Sequence, residues 1–140
     1  MKEKSYLLDT HILVWLLQDD RELNDNIREN IEYFQHSYYA SVASLHEVIL
    51  LMKEGKIDSK RGISDFIADV EERQIQFLDI KPNHMQVLEK LSAPYIGKDL
   101  HKDPFDRTII SQGIAEGLIV ISADTVFPLY KDKGFRLLEN

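Results

Sequence analysis

Five acidic residues of this chain stand in short polar segments that follow apolar runs or open helices: Asp9, Glu47, Asp103, Asp106 and Asp124. Carboxylates gathered at one point repel one another unless a cation lies among them. Oxygen-only ligands are typical of Mg²⁺ or Mn²⁺, and the absence of cysteine excludes a thiolate zinc site. The set therefore indicates a divalent-metal site, provided that the fold brings the five acids together.

Each acid also has a structural explanation. An Asp at a helix N-cap accepts a backbone N–H, and acids in the first turn suit the helix dipole. Asp103, Pro104 and Asp106 have the spacing of an N-cap, a proline at N1 and an acid at N3. Residues 44–47, Ser-Leu-His-Glu, match a capping box if a helix starts at Ser44. Taken singly, each acid is more simply explained by a structural role. Only the whole set favours a metal site.

The elements that must position these acids can be read from the apolar pattern. Short apolar runs at 6–8, 38–40, 77–80, 118–121 and 135–137 predict strands. Helical periodicity predicts helices at about 42–55 and 60–73, and a further amphipathic stripe comprises Ile27, Ile31 and Phe34. Strands that alternate with helices predict an α/β fold with a mostly parallel sheet. Ligands of such sheets bind outside the carboxyl ends of the strands, where these acids fall.

The bulk properties set the remaining expectations. A length of 140 residues predicts a single domain over 1–140. The net charge of −7 is unfavourable for binding a nucleic acid. This objection is weak, because a cation bound among clustered acids reverses the local sign of the charge. No apolar run approaches the ~20 residues of a membrane span, and no secretory signal is recognisable, so we expect a cytoplasmic protein.

Four segments resemble the motifs of the PIN-domain nucleases, and the similarity is greatest to the VapC-like toxins of bacterial toxin–antitoxin pairs. The segments are 7–17 (Leu-Leu-Asp-Thr-His-Ile-Leu-Val-Trp-Leu-Leu), 44–47, 101–107 (His-Lys-Asp-Pro-Phe-Asp-Arg) and 121–124 (Ile-Ser-Ala-Asp), in the family's order. The resemblance implies an α/β, PIN-like three-layer sandwich with a central, mostly parallel sheet of about five strands flanked by helices. It also implies a homodimer with metal-dependent endonuclease activity on RNA.

The resemblance also assigns roles by position. Asp9, Glu47, Asp106 and Asp124 are implied to be the catalytic, metal-binding carboxylates, with Asp103 as a fifth acid. Residues implied to surround the metal without binding it are Thr10, Ser44, Ser122 and Arg107. Arg107 could hold a phosphate or pair with the acids, and a structural ion pair is the alternative. His46 and His101 flank motif acids, but a hydrogen-bonded structural role is the simpler explanation for each.

The chemistry and partners follow from the same resemblance. A bound Mg²⁺ (or Mn²⁺) would lower the pKa of a coordinated water and neutralise charge on the phosphoryl oxygens, by one ion or by two. A small cognate antitoxin would block the acidic site, and a basic side chain of the antitoxin would pair with the carboxylates. The RNA substrate and its cleavage sequence are left open.

Two other functions remain as hypotheses. A PIN-like domain could bind RNA or a partner without cutting, and loss of one of the four main acids would be its expected mark; none is missing. A Mg²⁺-binding receiver domain is the remote alternative. It requires an acidic pair after the first strand and an acceptor Asp after the third, whereas here Asp9 is followed by Thr10, and Asp79 is predicted to lie inside a strand.

Overall fold

The five predicted strands form one parallel sheet in the computed structural model, which describes residues 3–58 and 61–140, except for the side chains of 131–133. The strands are β1 (Ser5–Leu8), β2 (Ser37–Ser41), β3 (Gln76–Leu78), β6 (Ile119–Ser122) and β7 (Arg136–Glu139). Two further short strands, β4 (Tyr95–Ile96) and β5 (Asp99–Leu100), pair with each other in an antiparallel hairpin. All neighbours in the main sheet run parallel, as predicted.

Six α-helices and one 3₁₀ helix connect the strands within the described ranges. They are α1 (Thr10–Gln18), α2 (Asp25–Glu32), α3 (Val42–Lys53), α4 (Gly62–Glu72), α5 (Pro82–Lys90), α6 (Pro104–Glu116) and the 3₁₀ helix Phe127–Lys133. None of the helices in those ranges is long and apolar enough to cross a membrane. Gly117 ends α6 in the left-handed conformation, with φ of 66°, where glycine carries no steric penalty.

The sheet is the middle layer between two hydrophobic clusters. Successive side chains of a strand point to opposite faces, and in β1 Leu8 belongs to one cluster while Leu7 belongs to the other. Ile12 of α1 and Ile27 of α2 pack in the first cluster. Ile109 of α6 packs in the second. The predicted three-layer architecture, with a central parallel sheet flanked by helices, is therefore confirmed.

Some sequence-based boundaries were wrong. The strand predicted at 77–80 ends at Leu78, so that Asp79 and Ile80 lie outside it and are exposed. Phe34 lies beyond the end of α2 with φ of 53° and is 54% exposed, so it is not part of the helix's apolar stripe. The helix predicted at 60–73 begins at Gly62, and position 60 lies outside the described residues. The β4–β5 hairpin and the 3₁₀ helix were not predicted.

The strand order places a crevice between β1 and β6. The order is β3-β2-β1-β6-β7, so the chain proceeds outward from β1 in one direction and then resumes on its other side at β6. Ligands of open α/β sheets bind at such a switch point, outside the carboxyl ends of the strands. A receiver domain has a different order, in which the second strand is at the edge and the first lies between the second and third. The topology therefore excludes the receiver hypothesis.

Candidate active site

Asp9 lies at the switch point, directly after β1, and is the N-cap of α1. Its carboxylate is only 3% exposed. Oδ1 accepts a hydrogen bond of 2.8 Å from the Thr10 backbone N–H, and Oδ2 accepts one of 2.7 Å from the Ser122 hydroxyl. Both oxygens are thus oriented by donors, and each keeps a further lone pair for another partner.

Ser122 and Asp124 lie on the other side of the crevice, at the end of β6. The Ser122 hydroxyl accepts a hydrogen bond of 3.0 Å from the Asp124 backbone N–H while donating to Asp9. Asp124 Oδ1 in turn accepts a bond of 2.9 Å from the Val126 backbone N–H. Asp124 is exposed, and no described hydrogen bond engages its Oδ2, so this acid faces the open side of the site.

Asp103 and Asp106 open α6, with the spacing that the sequence predicted. Asp103 is the N-cap, and its Oδ1 accepts hydrogen bonds of 3.0 Å from the backbone N–H groups of Phe105 and Asp106. Pro104 occupies the first helical position. Asp106 is 8% exposed, which is little for a residue that carries an ionisable carboxyl group.

Glu47 lies in the second turn of α3. The N-cap of this helix is Ser41, whose side chain accepts from the Ala43 backbone N–H, so residues 44–47 do not form a capping box. The Ser44 and Thr10 hydroxyl groups lie 2.9 Å apart in a buried hydrogen bond that joins α3 to α1. Glu47 Oε1 is buried and, among the described residues, has no hydrogen-bond partner. A buried carboxylate oxygen without a donor is a position that a cation could fill.

The electrostatics show that the five acids form one cluster. Burial, as the largest cause, and the charges of Asp9, Asp103, Asp124 and Glu47 together raise the pKa of Asp106 to about 8. Burial also raises the pKa of Asp9 to about 6, against the opposing effects of the Ser122 and Thr10 hydrogen bonds. Burial also raises the pKa of Glu47, as do Asp103 and Asp124, against the opposing effects of a Thr10 hydrogen bond and of His11.

The cluster has the donor chemistry and the charge that suit a hard divalent cation. Its ligands are all carboxylate oxygens, which favour Mg²⁺ or Mn²⁺. Over the ranges that the structure describes, no three acidic or histidine side chains converge closely enough to enclose an ion. The mutual effects on pKa nevertheless place the acids within electrostatic reach of one another.

Arg107 does not point at the acids. Its Nη1 donates a hydrogen bond of 3.0 Å to the Tyr130 hydroxyl, and its Nη2 donates one of 2.7 Å to the Leu91 carbonyl oxygen. Among the described residues it makes no ion pair, which departs from the structural alternative suggested by the sequence. His46 is exposed and contacts the Phe105 ring edge-on at 5.0 Å between centroids.

His101 and Tyr130 adjoin the cluster from the second hydrophobic face. His101 Nε2 lies 3.2 Å from Asp106 Oδ2, and its Nδ1 lies 2.7 Å from the Tyr130 hydroxyl oxygen. Burial lowers the pKa of His101, against the opposing effects of Asp103 and Asp124, and so favours the neutral ring. Sequence reasoning missed Tyr130 altogether. Tyr130 belongs to no motif, and its separation of 23 residues from Arg107 carries no local signal.

The chain belongs to the PIN-domain family, whose model matches residues 6–133. Members of this family are generally nucleases that use divalent metal ions. No curated protein matches the chain significantly.

Solved structures share the fold at low sequence identity. One is VapBC from Salmonella typhimurium bound to DNA, with a TM-score of 0.71 and 19% identity over 97% of this chain and 98% of that chain. Another is VapBC2 from Rickettsia felis bound to a DNA fragment from the promoter, with a TM-score of 0.70 and 17% identity over 96% and 98%. FitAcB from Neisseria gonorrhoeae has a TM-score of 0.61 and 13% identity over 95% and 96%.

Proposed function

We propose that the chain, as a single PIN domain over residues 1–140, is a divalent-metal-dependent endoribonuclease that hydrolyses RNA phosphodiester bonds with Mg²⁺ or Mn²⁺. The observation that carries the proposal is the electrostatic coupling of Asp106 to four other acids, which together with burial raises its pKa to about 8. A cluster of this kind is costly to ionise unless a cation neutralises it. Members of the PIN family are generally metal-dependent nucleases, so a bound divalent metal would offset the cost of ionising the acids.

Asp9, Glu47, Asp106 and Asp124 would hold the metal, with Asp103 as a fifth acid at the edge. A divalent ion bound there would supply Lewis acidity and would offset the negative charge of the scissile phosphate. Glu47 is half-buried with its Oε1 turned to the interior, whereas Asp124 is exposed to solvent. Asp106 would have to be deprotonated to serve as a ligand, since metal ligands must be deprotonated.

Neighbouring hydroxyl groups hold these acids in place. Ser122 orients Asp9 and the backbone that carries Asp124. The Thr10–Ser44 hydrogen bond keeps the start of α1 against α3, and thereby fixes Asp9 relative to Glu47. Outer partners of this kind tune metal ligands strongly, and their loss costs about 10–100-fold in metal affinity or activity.

The biological role that we propose is that of the toxin of a toxin–antitoxin pair. Support comes from the VapC-like motifs and from the fold shared with chains of VapBC complexes. A small cognate antitoxin would then bind the protein and cover the acidic cluster with a basic side chain. We propose a homodimer on the same grounds. A gene for a small protein beside this one would support the role, and co-purification of the two products would test it.

The decisive experiment is a cleavage assay on purified, partner-free protein. A mixed RNA pool is incubated with Mg²⁺ or Mn²⁺, with and without EDTA, beside a matched single-stranded DNA pool. We expect cleavage of RNA that EDTA abolishes and that Asp106→Asn reduces by at least about 100-fold. Asp79→Asn is the matched control, because Asp79 is an exposed acid that follows β3 and lies outside the cluster.

Three outcomes of the assay would contradict part of the proposal. If the folded wild type cuts no RNA with either metal, the nuclease proposal fails, and RNA binding without cleavage would support a non-catalytic PIN domain. If Asp79→Asn is as damaging as Asp106→Asn, the acid cluster is not the active site. Cleavage of DNA in preference to RNA would overturn the substrate class and leave the metal site standing.

A further inference from the structure

Four side chains form one continuous hydrogen-bonded series that ends at the acid cluster. Arg107 Nη1 lies 3.0 Å from the Tyr130 hydroxyl oxygen, which lies 2.7 Å from His101 Nδ1. His101 Nε2 then lies 3.2 Å from Asp106 Oδ2. Tyr130 is fully buried and His101 is 7% exposed, so solvent has little access to the interior of the series.

With a neutral His101 ring, one direction of donors and acceptors satisfies every group in this series. A guanidinium has donors and no acceptor, so the Tyr130 oxygen accepts from Arg107. The Tyr130 hydroxyl has one hydrogen to donate, and His101 Nδ1 is the acceptor beside it. If Nδ1 carried the hydrogen instead, the buried Tyr130 O–H would have no acceptor among the described residues, at the cost of an unsatisfied polar group. In a neutral ring the hydrogen is therefore on Nε2, where it is donated to Asp106 Oδ2.

Arg107 is itself held in place by the backbone. Its Nη2 donates to the Leu91 carbonyl oxygen at 2.7 Å, at the end of α5. Because two nitrogens of one planar group are engaged, the guanidinium cannot turn away from Tyr130 without losing both bonds. The orientation of the series thus originates in a contact between α5 and α6, away from the acids.

We propose that Arg107, Tyr130 and His101 are positioning residues that fix the Nε2–H tautomer of His101 and thereby hold Asp106 for metal binding. The bond to Oδ2 leaves Oδ1 of Asp106, which no described donor engages, as the oxygen for a divalent ion. The role of Asp106 as a metal ligand is taken from the proposed function. Arg107 accordingly acts on the metal through two other side chains and does not bind the phosphate of the substrate.

The first test reads the tautomer in the metal-free protein. Nitrogen-15 NMR distinguishes a protonated ring nitrogen from an unprotonated one, and the His101 signals are assigned by their loss in His101→Gln. We expect Nε2–H in the wild type. We expect a mixture of the two tautomers in Tyr130→Phe, which removes the hydroxyl, and in Arg107→Met, which removes the bond to Tyr130 and no hydrogen bond of His101 or Asp106. A wild-type ring protonated on Nδ1, or an unchanged tautomer in both variants, would overturn the proposal.

The second test measures Mn²⁺ affinity by titration calorimetry in the absence of RNA. Tyr130→Phe and Arg107→Met should each weaken Mn²⁺ binding by about tenfold, as expected for partners of a metal ligand. Tyr38→Phe is the matched control, because Tyr38 is a buried tyrosine of the other hydrophobic cluster. Circular dichroism checks that each variant is folded, and a variant that does not fold leaves the other one and the wild-type tautomer to decide.

The outcomes separate this proposal from the proposed function. If Asp106→Asn binds Mn²⁺ as the wild type does, Asp106 is not a ligand and the metal site itself is wrong. If Asp106→Asn loses Mn²⁺ while folded Tyr130→Phe and Arg107→Met retain it, only the positioning role fails. If Arg107→Met raises the KM for RNA without changing Mn²⁺ affinity, Arg107 binds phosphate directly and the proposal is likewise overturned.

Discussion

The Ser122 hydroxyl donates a hydrogen bond of 2.7 Å to Asp9 Oδ2, and the two residues are 113 positions apart in the chain. The bond spans the switch point between β1 and β6, where the sheet topology opens a crevice. The same hydroxyl accepts from the Asp124 backbone N–H at 3.0 Å. One serine therefore organises two of the five acids that we assign to the metal site.

Ser122→Ala should weaken Mn²⁺ binding by about tenfold, because Asp9 loses its orienting donor and the Asp124 N–H loses its acceptor. The free energy of unfolding should also fall by roughly 1–3 kcal/mol, the usual cost of leaving buried polar groups unsatisfied. Titration calorimetry and urea unfolding measure the two effects. Ser111→Ala is the control, since Ser111 is a buried serine that donates only to the Arg107 backbone carbonyl. Equal Mn²⁺ affinity in the two variants would refute the role of Ser122.

The stability of the metal-free protein should fall as pH rises from 6.5 to 8. The pKa of Asp106 is raised from 3.8 to about 8, so in this window the folded state holds a proton that the unfolded state has lost. Stability then decreases with pH, by up to roughly 1 kcal/mol per pH unit. Below pH 6.5 the lowered pKa of His101 acts in the opposite sense, because the unfolded state takes up protons first.

Urea unfolding in EDTA at several pH values measures that slope. Asp106→Asn has no group to titrate at this position and should show a distinctly flatter profile between pH 6.5 and 8. A wild-type stability that rises across the window, or an identical slope in the variant, would contradict the raised pKa of Asp106.

Glu47→Gln should stabilise the metal-free protein while impairing the metal-bound one. Removing this charge relieves repulsion on Asp9 and Asp106, a gain of about 0.5 kcal/mol because Glu47 itself is half-buried and partly screened by solvent. The same change removes a carboxylate ligand, so added Mg²⁺ should raise the melting temperature of the variant less than that of the wild type. Thermal unfolding at pH 8 with EDTA or with Mg²⁺ compares the two. A variant that is less stable in EDTA and gains as much from Mg²⁺ would show that Glu47 is structural.

Gly113→Ala should destabilise the protein although alanine is the better helix former. A Cβ at Gly113, within α6, would lie 2.7 Å from Val120 Cγ2 of β6, and Val120 is fully buried. Overpacking of this kind costs about 1–3 kcal/mol, which outweighs the helix-propensity gain of up to about 1 kcal/mol. Urea unfolding measures the change. In Gly113→Ala/Val120→Ala the loss should be smaller than the sum of the single losses, and simple additivity would show that Val120 is not the obstacle.

The positions of the candidate site's acids could be predicted from local sequence, because they follow from rules that act over a few residues. Asp103, Pro104 and Asp106 have the spacing of a helix start, and α6 begins there. Asp9 follows an apolar run, and the residue after a buried parallel strand must lie at the edge of the sheet where ligands bind. The apolar runs likewise predicted all five strands of the main sheet.

Other features had no local signal. The β4–β5 hairpin has strands of two residues each, too short for an alternating pattern, and β3 ends before Asp79 because pairing with β2 stops at Leu78. The capping-box reading of residues 44–47 was wrong because Ser41 already caps α3.

The sequence by itself therefore determined the parallel α/β layout and the carboxylates that the layout brings to one edge, since periodicity and capping depend on near neighbours. Only the tertiary structure decided the direction of Arg107, which turns from the acids to Tyr130, and the partners of His101 on either side. The Arg107–Tyr130 bond joins α6 to the 3₁₀ helix across 23 residues, and the His101–Tyr130 bond joins the segment before α6 to the same helix across 29 residues. Hydrogen bonds between distant segments depend on how whole layers pack, and no spacing along the chain encodes them.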